Sequence, residues 1–295
     1  MKKLLLASTA LVASAGFAMA DGHAGISMSG TAKAGIAKSS STAAAADNDG
    51  ELHVYNQADI HFTMSGASDN GLEFGTSIGL DVGNDFDTGD FEFDGVEDGD
   101  GDGAAVWISS GGFKITFDDS DIDDLHDDDN THDMQIDYTA GDLSFSMTHD
   151  LDGDGGDSEN SFSIGYSAGD LSLGVNGNDG STAADGGMEI TVGYAVGDID
   201  LSLSHDMPEG GADDVTEIGV SASLGGLDVS VSADTADDWD VSIGADVGGV
   251  SLSVSTNESD EWEIVGTMDA GGGLSLHAGA DGANDAMFLG AAMSF

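Results

Sequence analysis

The sequence predicts an all-β chain, a transmembrane antiparallel β-barrel, on three observations. The first is alternation. Leu143, Phe145 and Met147 share one face of a segment whose other face is Ser144, Ser146 and Thr148, and a period of two belongs to a strand rather than a helix. The second is repetition. YTAGDLSFSMTHD from Tyr138 recurs as YSAGDLSLGVNGND from Tyr166 and as YAVGDIDLSLSHD from Tyr194, with Gly141, Gly169 and Gly197 spaced 28 residues apart. A Gly-Asp or Gly-Gly pair between two alternating runs is a tight hairpin turn, because glycine reaches positive φ without steric cost. The third is asymmetry. Short glycine turns stand at one end of every hairpin and longer acidic connections at the other, the loop pattern of a membrane barrel. A soluble β-sandwich also alternates, but its loops need not divide so regularly into short and long ends.

Residues 1–20 read as a signal peptide. Lys2 and Lys3 precede an apolar run, and Ala18-Met19-Ala20 is an A-x-A cleavage site. Asp21 is the expected mature N-terminus, and residues 21–295 the single barrel domain. No other stretch has the roughly 20 apolar residues of a spanning helix, whereas a spanning strand needs only about 10 alternating ones. The chain has no cysteine, so it relies on neither disulfides nor thiol chemistry. Loss of the signal leaves 57 acids against three lysines, with no arginine. Binding nucleic acid through its phosphates is excluded on that balance; small cations are the partners such a charge attracts.

Taken in order, strand 1 covers about residues 24–37, with Ile26, Met28 and Ile36 in phase. A polar connection, 39–50, leads to the longest clean alternation: Leu52, Val54, Ile60, Phe62 and Met64 against His53, Tyr55, Gln57, Asp59, His61 and Thr63. After a turn at Asp69-Asn70-Gly71 come Leu72, Phe74, Ile78 and Leu80. Residues 83–103 read as a long acidic connection. Val106 and Ile108 then face Phe113, Ile115 and Phe117 across Gly111-Gly112, and residues 118–133 form the densest acid run. Hairpins of the repeated type fill the rest, turning at Gly141, Gly169, Gly197, Gly225-Gly226, Gly248-Gly249 and Gly271 to Gly273. The direct count is eight short turns and 18 strands. Tyr138, Tyr166 and Tyr194 each stand three residues before a turn glycine, at the common height of an aromatic girdle. Loops after Ala37, Val82, Phe117 and Asp150 are expected outside, and the Gly-Asp turns in the periplasm.

The signal peptide, the Tyr-x-x-Gly-Asp-apolar hairpins and the terminal Ala291-Ala292-Met293-Ser294-Phe295 together resemble the general porins of alphaproteobacterial outer membranes. The resemblance spans nearly the whole mature chain. It implies a homotrimer of closed barrels in outer-membrane lipid, usually of 16 strands, passing ions and small hydrophilic solutes without a cofactor. Sixteen departs from the direct count; the extra hairpin would be the one turning at Gly248-Gly249. The resemblance also implies a third external loop folded into the barrel to narrow the pore, which by position is residues 118–133. Family pores set basic residues across from acidic ones there. This chain departs from that pattern, offering only Lys33, Lys38 and Lys114.

The candidate constriction is Asp118, Asp119, Asp121, Asp123, Asp124, Asp127, Asp128 and Asp129, with Asp133 closing the run. Such a ring of carboxylates selects cations; the competing readings are a divalent-ion site and a solvated loop. Strand phase puts Lys33, Asp59, Glu73, Asp81, Lys114, Asp137, Asp200, Asp228, Asp240 and Asp246 on the lumenal face. Two stretches fit D-x-D-x-D-G: Asp98, Asp100 and Asp102, and Asp150, Asp152 and Asp154. Ser109 and Ser161 occupy the place of the closing EF-hand glutamate, so the expectation is at most weak Ca2+ binding. His126, His132, His149 and His205 lack catalytic zinc spacing, and no nucleophile-elbow motif sits at a strand-to-helix turn, so no enzyme is expected. The alternatives to a channel are a structural or adhesive barrel and a secreted calcium-binding β-rich protein; the latter would show nonapeptide repeats rather than a 28-residue hairpin unit.

Overall fold

The computed structural model describes residues 24–43, 45–98, 104–126, 130–151, 159–180 and 186–295. Every regular element among them is a strand: β1 (Ala24–Lys38), β2 (His53–Ala67), β3 (Glu73–Asp87), β4 (Glu92–Asp98), β5 (Ala104–Ser110), β6 (Phe113–Asp123), β7 (Thr131–Ala140), β8 (Leu143–His149), β9 (Asn160–Ala168), β10 (Leu171–Asn178), β11 (Gly187–Val196), β12 (Ile199–Pro208), β13 (Val215–Leu224), β14 (Leu227–Asp234), β15 (Trp239–Val247), β16 (Val250–Asn257), β17 (Trp262–Gly271), β18 (Leu274–Asp281) and β19 (Ala286–Ser294). Each wall strand pairs antiparallel with its chain neighbours, and β1 pairs with both β2 and β19. That seam closes the sheet. Its register runs from Thr31 opposite Ser294 to Lys38 opposite Met287.

The wall contains 18 strands, because β4 stands outside the circuit. The first half of β3 pairs with β5, from Glu73 opposite Ser109 to Ile78 opposite Ala104. Its second half pairs instead with β4, from Val82 opposite Asp98 to Asp87 opposite Glu92. The family expectation of 16 is thereby corrected. The Gly248-Gly249 hairpin is a full member of the wall as β15 and β16, bonded on both sides. A second correction concerns residues 83–103, expected as a connection: they contain the end of β3 and all of β4. A third concerns residues 118–133. β6 runs through Asp123 and β7 starts at Thr131, so only the middle of that acid run is a connection.

The turns divide by chemistry. In the Gly-Asp turns only the glycine has positive φ, 61° at Gly141 and Gly169 and 65° at Gly197. In the Gly-Gly turns both residues do, as at Gly225 (64°) and Gly226 (92°). One positive φ in the first position and two in succession are the two primed turn geometries that match strand twist.

Alternation then sorts the side chains. Leu201, Leu203, Val220, Val231, Ile243 and Leu252 point away from the barrel axis and are exposed in the isolated chain, as lipid-facing residues must be. Tyr138, Tyr166 and Tyr194 form one band near the short-turn end, all exposed. Trp239 and Trp262, which alternation also turns outward, lie near the long-loop end. The inner face is thin in places because Gly165, Gly193 and Gly219 stand across from Ser144, Ser172 and Ser202. A Cβ on any of those glycines would collide with the facing serine hydroxyl.

This face assignment predicts an asymmetric tolerance to charge. Lysine at Leu203, mid-strand on the outward face, should cost about 2–4 kcal/mol of folding stability. Lysine at the adjacent Ser204, on the inner face, should cost much less. Denaturant titration of barrels folded into vesicles measures both; equal losses would reverse the assignment.

Candidate functional site

The candidate site is the inner face of the wall and the two elements that lean onto it. Strand alternation places Lys33, Asp59, Glu73, Asp81, Lys114, Asp137, Asp200, Asp228, Asp240 and Asp246 opposite the exposed apolar residues of their own strands. Several are held by neighbours on that same face. Asp81 accepts from the Gln57 amide (3.1 Å), and Asp137 accepts from the Ser146 hydroxyl (2.7 Å) and the Gln135 amide (2.9 Å). Asp59 contacts the His61 ring at 3.0 Å. Ser223 and Ser251 donate to Asp228 and Asp246. Such bonds orient the carboxylate oxygens as acceptors along the inner face.

The three lysines of the described residues are all engaged. Lys33 Nζ donates to Asp85 at 3.3 Å, Lys38 Nζ to Asp285 at 2.9 Å, and Lys114 Nζ stands 6.0 Å from the centre of the Trp107 ring, at the limit of a cation–π contact.

The first inward element is the third connection. Opposite Asp133 alone, β6 carries four residues, 118–121, between the pairs Phe117–Met134 and Ile122–His132. That bulge holds Asp118 and Asp119. Beyond it, Asp124, Leu125 and His126 lie against inward-facing residues of β8 to β11. Leu125 N donates to Ser161 Oγ (2.8 Å), and its carbonyl accepts from the Asn176 amide (3.2 Å). The Asp124 carboxylate accepts from Asn178 (3.2 Å) and lies 3.8 Å from the His132 ring. His132 is fully buried and bonds Thr148 Oγ1 at 2.7 Å; Thr148 in turn bonds Ser161. A buried polar group without a partner is costly, and this chain of bonds supplies the partners. Asp123 is exposed at the end of β6. Asp127, Asp128 and Asp129 lie outside the described residues.

The second inward element is one the sequence did not announce. Past Asn84, opposite Asn56, β3 leaves β2. Gly83, with φ at 119°, allows the bend; a side chain there would strike the Asn56 carbonyl. The β3–β4 hairpin then folds over the inner face of β2, β1 and β19. Phe86, Phe91 and Phe93 are buried with Tyr55, Ala37, Ala286 and Phe288. Ring centroids are 5.0 Å apart for Phe86 and Phe93, 5.7 Å for Tyr55 and Phe86, and 5.5 Å for Phe91 and Phe288. Phenylalanine alternating with Asp, Glu and Gly was the available signal, masked by the acidity around it.

Of the calcium candidates, Asp100, Asp102, Asp152 and Asp154 lie outside the described residues. Asp98 ends β4, and Asp150 N donates to the Glu159 carbonyl at 3.0 Å. Among the described residues, no three His, Asp or Glu side chains converge as a metal site would require.

Residues 7–294 match the family described as Gram-negative porin. No curated protein matches the chain. Among solved structures it is similar to engineered variants of the Rhodopseudomonas blastica porin. Two of these are 15% identical, with TM-scores of 0.57 and 0.58, and a third is 14% identical, with a TM-score of 0.57. In each case the alignment covers 92% of this chain and 100% of the other.

One carboxyl on the hairpin titrates far from its usual range. Partial burial of its carboxyl, and then repulsion from Asp87, Asp85, Glu92 and Asp90, pushes Asp94, a residue still largely exposed, up to about 6. A folded-state value raised above the unfolded one means that the folded barrel binds this proton more tightly. This group therefore adds stability as pH falls through about 6 and opposes folding above it. Carbon NMR of the Asp94 carboxyl should give a midpoint near pH 6. The unfolding-midpoint difference between wild type and Asp94→Asn should move in favour of wild type over the same interval. An ordinary carboxylate midpoint, near 4, would contradict the crowding.

Proposed function

The chain belongs to the Gram-negative porin family, and from that membership we infer that its barrel is a water-filled, cation-selective pore for ions and small hydrophilic solutes. Outer-membrane location and the channel itself are properties of the family, which moves solutes down their gradients without catalysis or a resident cofactor. The cation preference rests on one observation. The inner face carries Asp59, Asp81, Asp137, Asp200, Asp228, Asp240 and Asp246, while Lys33 is paired with Asp85 and Lys114 sits beside Trp107. A carboxylate-lined passage concentrates cations because partition follows the local potential.

In this reading residues 118–133 form one acidic ledge of the constriction, held by the bonds from Leu125 and Asp124 to β9 and β10. Its charge acts at short range in a narrow, low-dielectric passage, where salt screens it less than on an open surface. Residues 1–20 are removed on export, the short turns face the periplasm, and three copies assemble in the membrane. Weak association of Ca2+ with the acidic external connections accompanies this without being needed for transport.

Reversal potentials across a planar bilayer under a potassium chloride gradient test the reading. Potassium should be preferred, and the preference should shrink, without vanishing, as salt rises. Replacing Asp118, Asp119, Asp121, Asp123 and Asp124 together with asparagine should reduce it by about two-fold or more. An open channel that prefers chloride, or a preference untouched by the five changes, would contradict this assignment.

A further inference from the structure

Of the eight apolar side chains buried among the described residues, seven belong to a single cluster. It lies between the inner face of the wall and a hairpin folded onto it. Tyr55 of β2, Ala37 of β1 and Phe288 of β19 all point inward, and the hairpin of β3 and β4 covers them with Phe86, Phe91 and Phe93. A loop that merely hangs in solvent has no reason to bury three phenylalanines. Among the described residues, the buried apolar core is the underside of a hairpin inside the barrel.

The backbone is fixed there as well. Asn48 bonds Phe93 from both sides: its amide nitrogen donates to the Phe93 carbonyl (3.1 Å), and its carbonyl oxygen accepts from Phe93 N (2.9 Å). Asn284 donates to the Asp90 carbonyl at 3.0 Å, and Ser41 donates to Glu92. Lys33 reaches from the middle of β1 to Asp85. The anchors come from three separate connections or strands, so the hairpin cannot swing out by loosening one of them.

Its position relative to the third connection is informative. The hairpin rests on β19, β1 and β2; the third connection rests on β8 to β11. Around the 18-strand circuit, four strands separate the two sectors on one side and seven on the other. The two elements enter the lumen from facing parts of the wall. The hairpin's own exposed side chains include Asp90 and Asp94, and the lysine beneath it is already taken by Asp85.

We propose that the β3–β4 hairpin is a fixed selectivity element of the pore, a second acidic ledge facing the third connection, so that permeating cations pass between two carboxylate surfaces. The proposal rests on the cation-selective reading above and adds the residues of the opposite side. In place of a transverse field between basic and acidic walls, the passage has the same sign on both. Cations gain from both walls and anions from neither, while a zwitterion has no field to align it.

Three variants in planar bilayers, with permeability ratios and single-channel conductance as readouts, test it. Asp94→Asn removes charge at an exposed position without touching the cluster; it should lower the potassium-to-chloride ratio by about two-fold at pH 7.5 with conductance nearly unchanged. Phe93→Ala removes an anchor; it should raise conductance and open-channel noise as the ledge loses its seat. Phe93→Leu keeps the apolar contact and should behave as wild type. If Phe93→Ala yields no folded barrel, Asp94→Asn together with Asp90→Asn carries the test alone. Selectivity and conductance unchanged in these variants, while asparagine substitution in residues 118–124 still alters selectivity, would overturn the second ledge and leave the cation-selective reading standing. A wild-type channel without cation preference would overturn that reading, and this one with it.

Discussion

The structure follows from one constraint: within a bilayer every backbone N–H and C=O must find a partner in the protein. No described helix satisfies it here, because the chain crosses as strands, and strands satisfy it only when the sheet has no edge. The pairing of β1 with β19 removes the edge. Once the sheet is closed, the pleat sends alternate side chains to lipid and to water, and the outward positions are predominantly apolar. The small Gly and Ser pairs of the inner face leave the interior open. Eighteen strands about 4.8 Å apart and tilted about 40° enclose a cylinder roughly 35 Å across. Such a width leaves room for chain inside the mouth, and two elements use it.

Electrostatics sets how that interior can act. With 57 acids in the sequence and no arginine, the lumen cannot be built as a dipolar passage. The lysines that reach it serve other ends: Lys33 tethers the hairpin through Asp85, and Lys114 lies beside Trp107. Packing and charge therefore have separate anchors on the two ledges. The hairpin is held by phenylalanines, whose burial contributes about 1.5–3 kcal/mol each. The third connection is held by a buried polar chain from Asp124 through His132 and Thr148 to Ser161. Both schemes keep acidic groups near one another against their repulsion, and the raised titration of Asp94 reflects partial burial first and that repulsion second.

How much of this could be read from the residues depends on the range of the interaction. Strand phase and turn chemistry are local, and YTAGDLSFSMTHD shows both within 13 residues; the 18-strand count is the same signal repeated along the chain. The girdle at Tyr138, Tyr166 and Tyr194 follows from spacing to the turn; its counterpart at Trp239 and Trp262 sits beside variable connections and has no such ruler. The β3–β4 hairpin was hidden because its reason is non-local. Phe86 meets Tyr55 and Phe288, and Phe91 meets Phe288, far away in sequence, and nothing in an Asp- and Gly-rich stretch predicts those partners. The length of β6 was hidden for a related reason. Its bulge at 118–121 breaks the alternation that would have extended the strand. The family count of 16 failed because it overrode a local signal, the Gly248-Gly249 turn, that was correct.

Because the chain has no cysteine, single cysteines can report directly on the division between lipid and lumen. The most direct measurement is labelling of barrels in vesicles by a small water-soluble maleimide, with cysteine placed in turn at the six successive positions 199–204 of β12. Reaction at Asp200, Ser202 and Ser204, with protection at Ile199, Leu201 and Leu203, is the result expected of a closed barrel with a water-filled interior. Uniform reaction along the strand, or the opposite alternation, would contradict it.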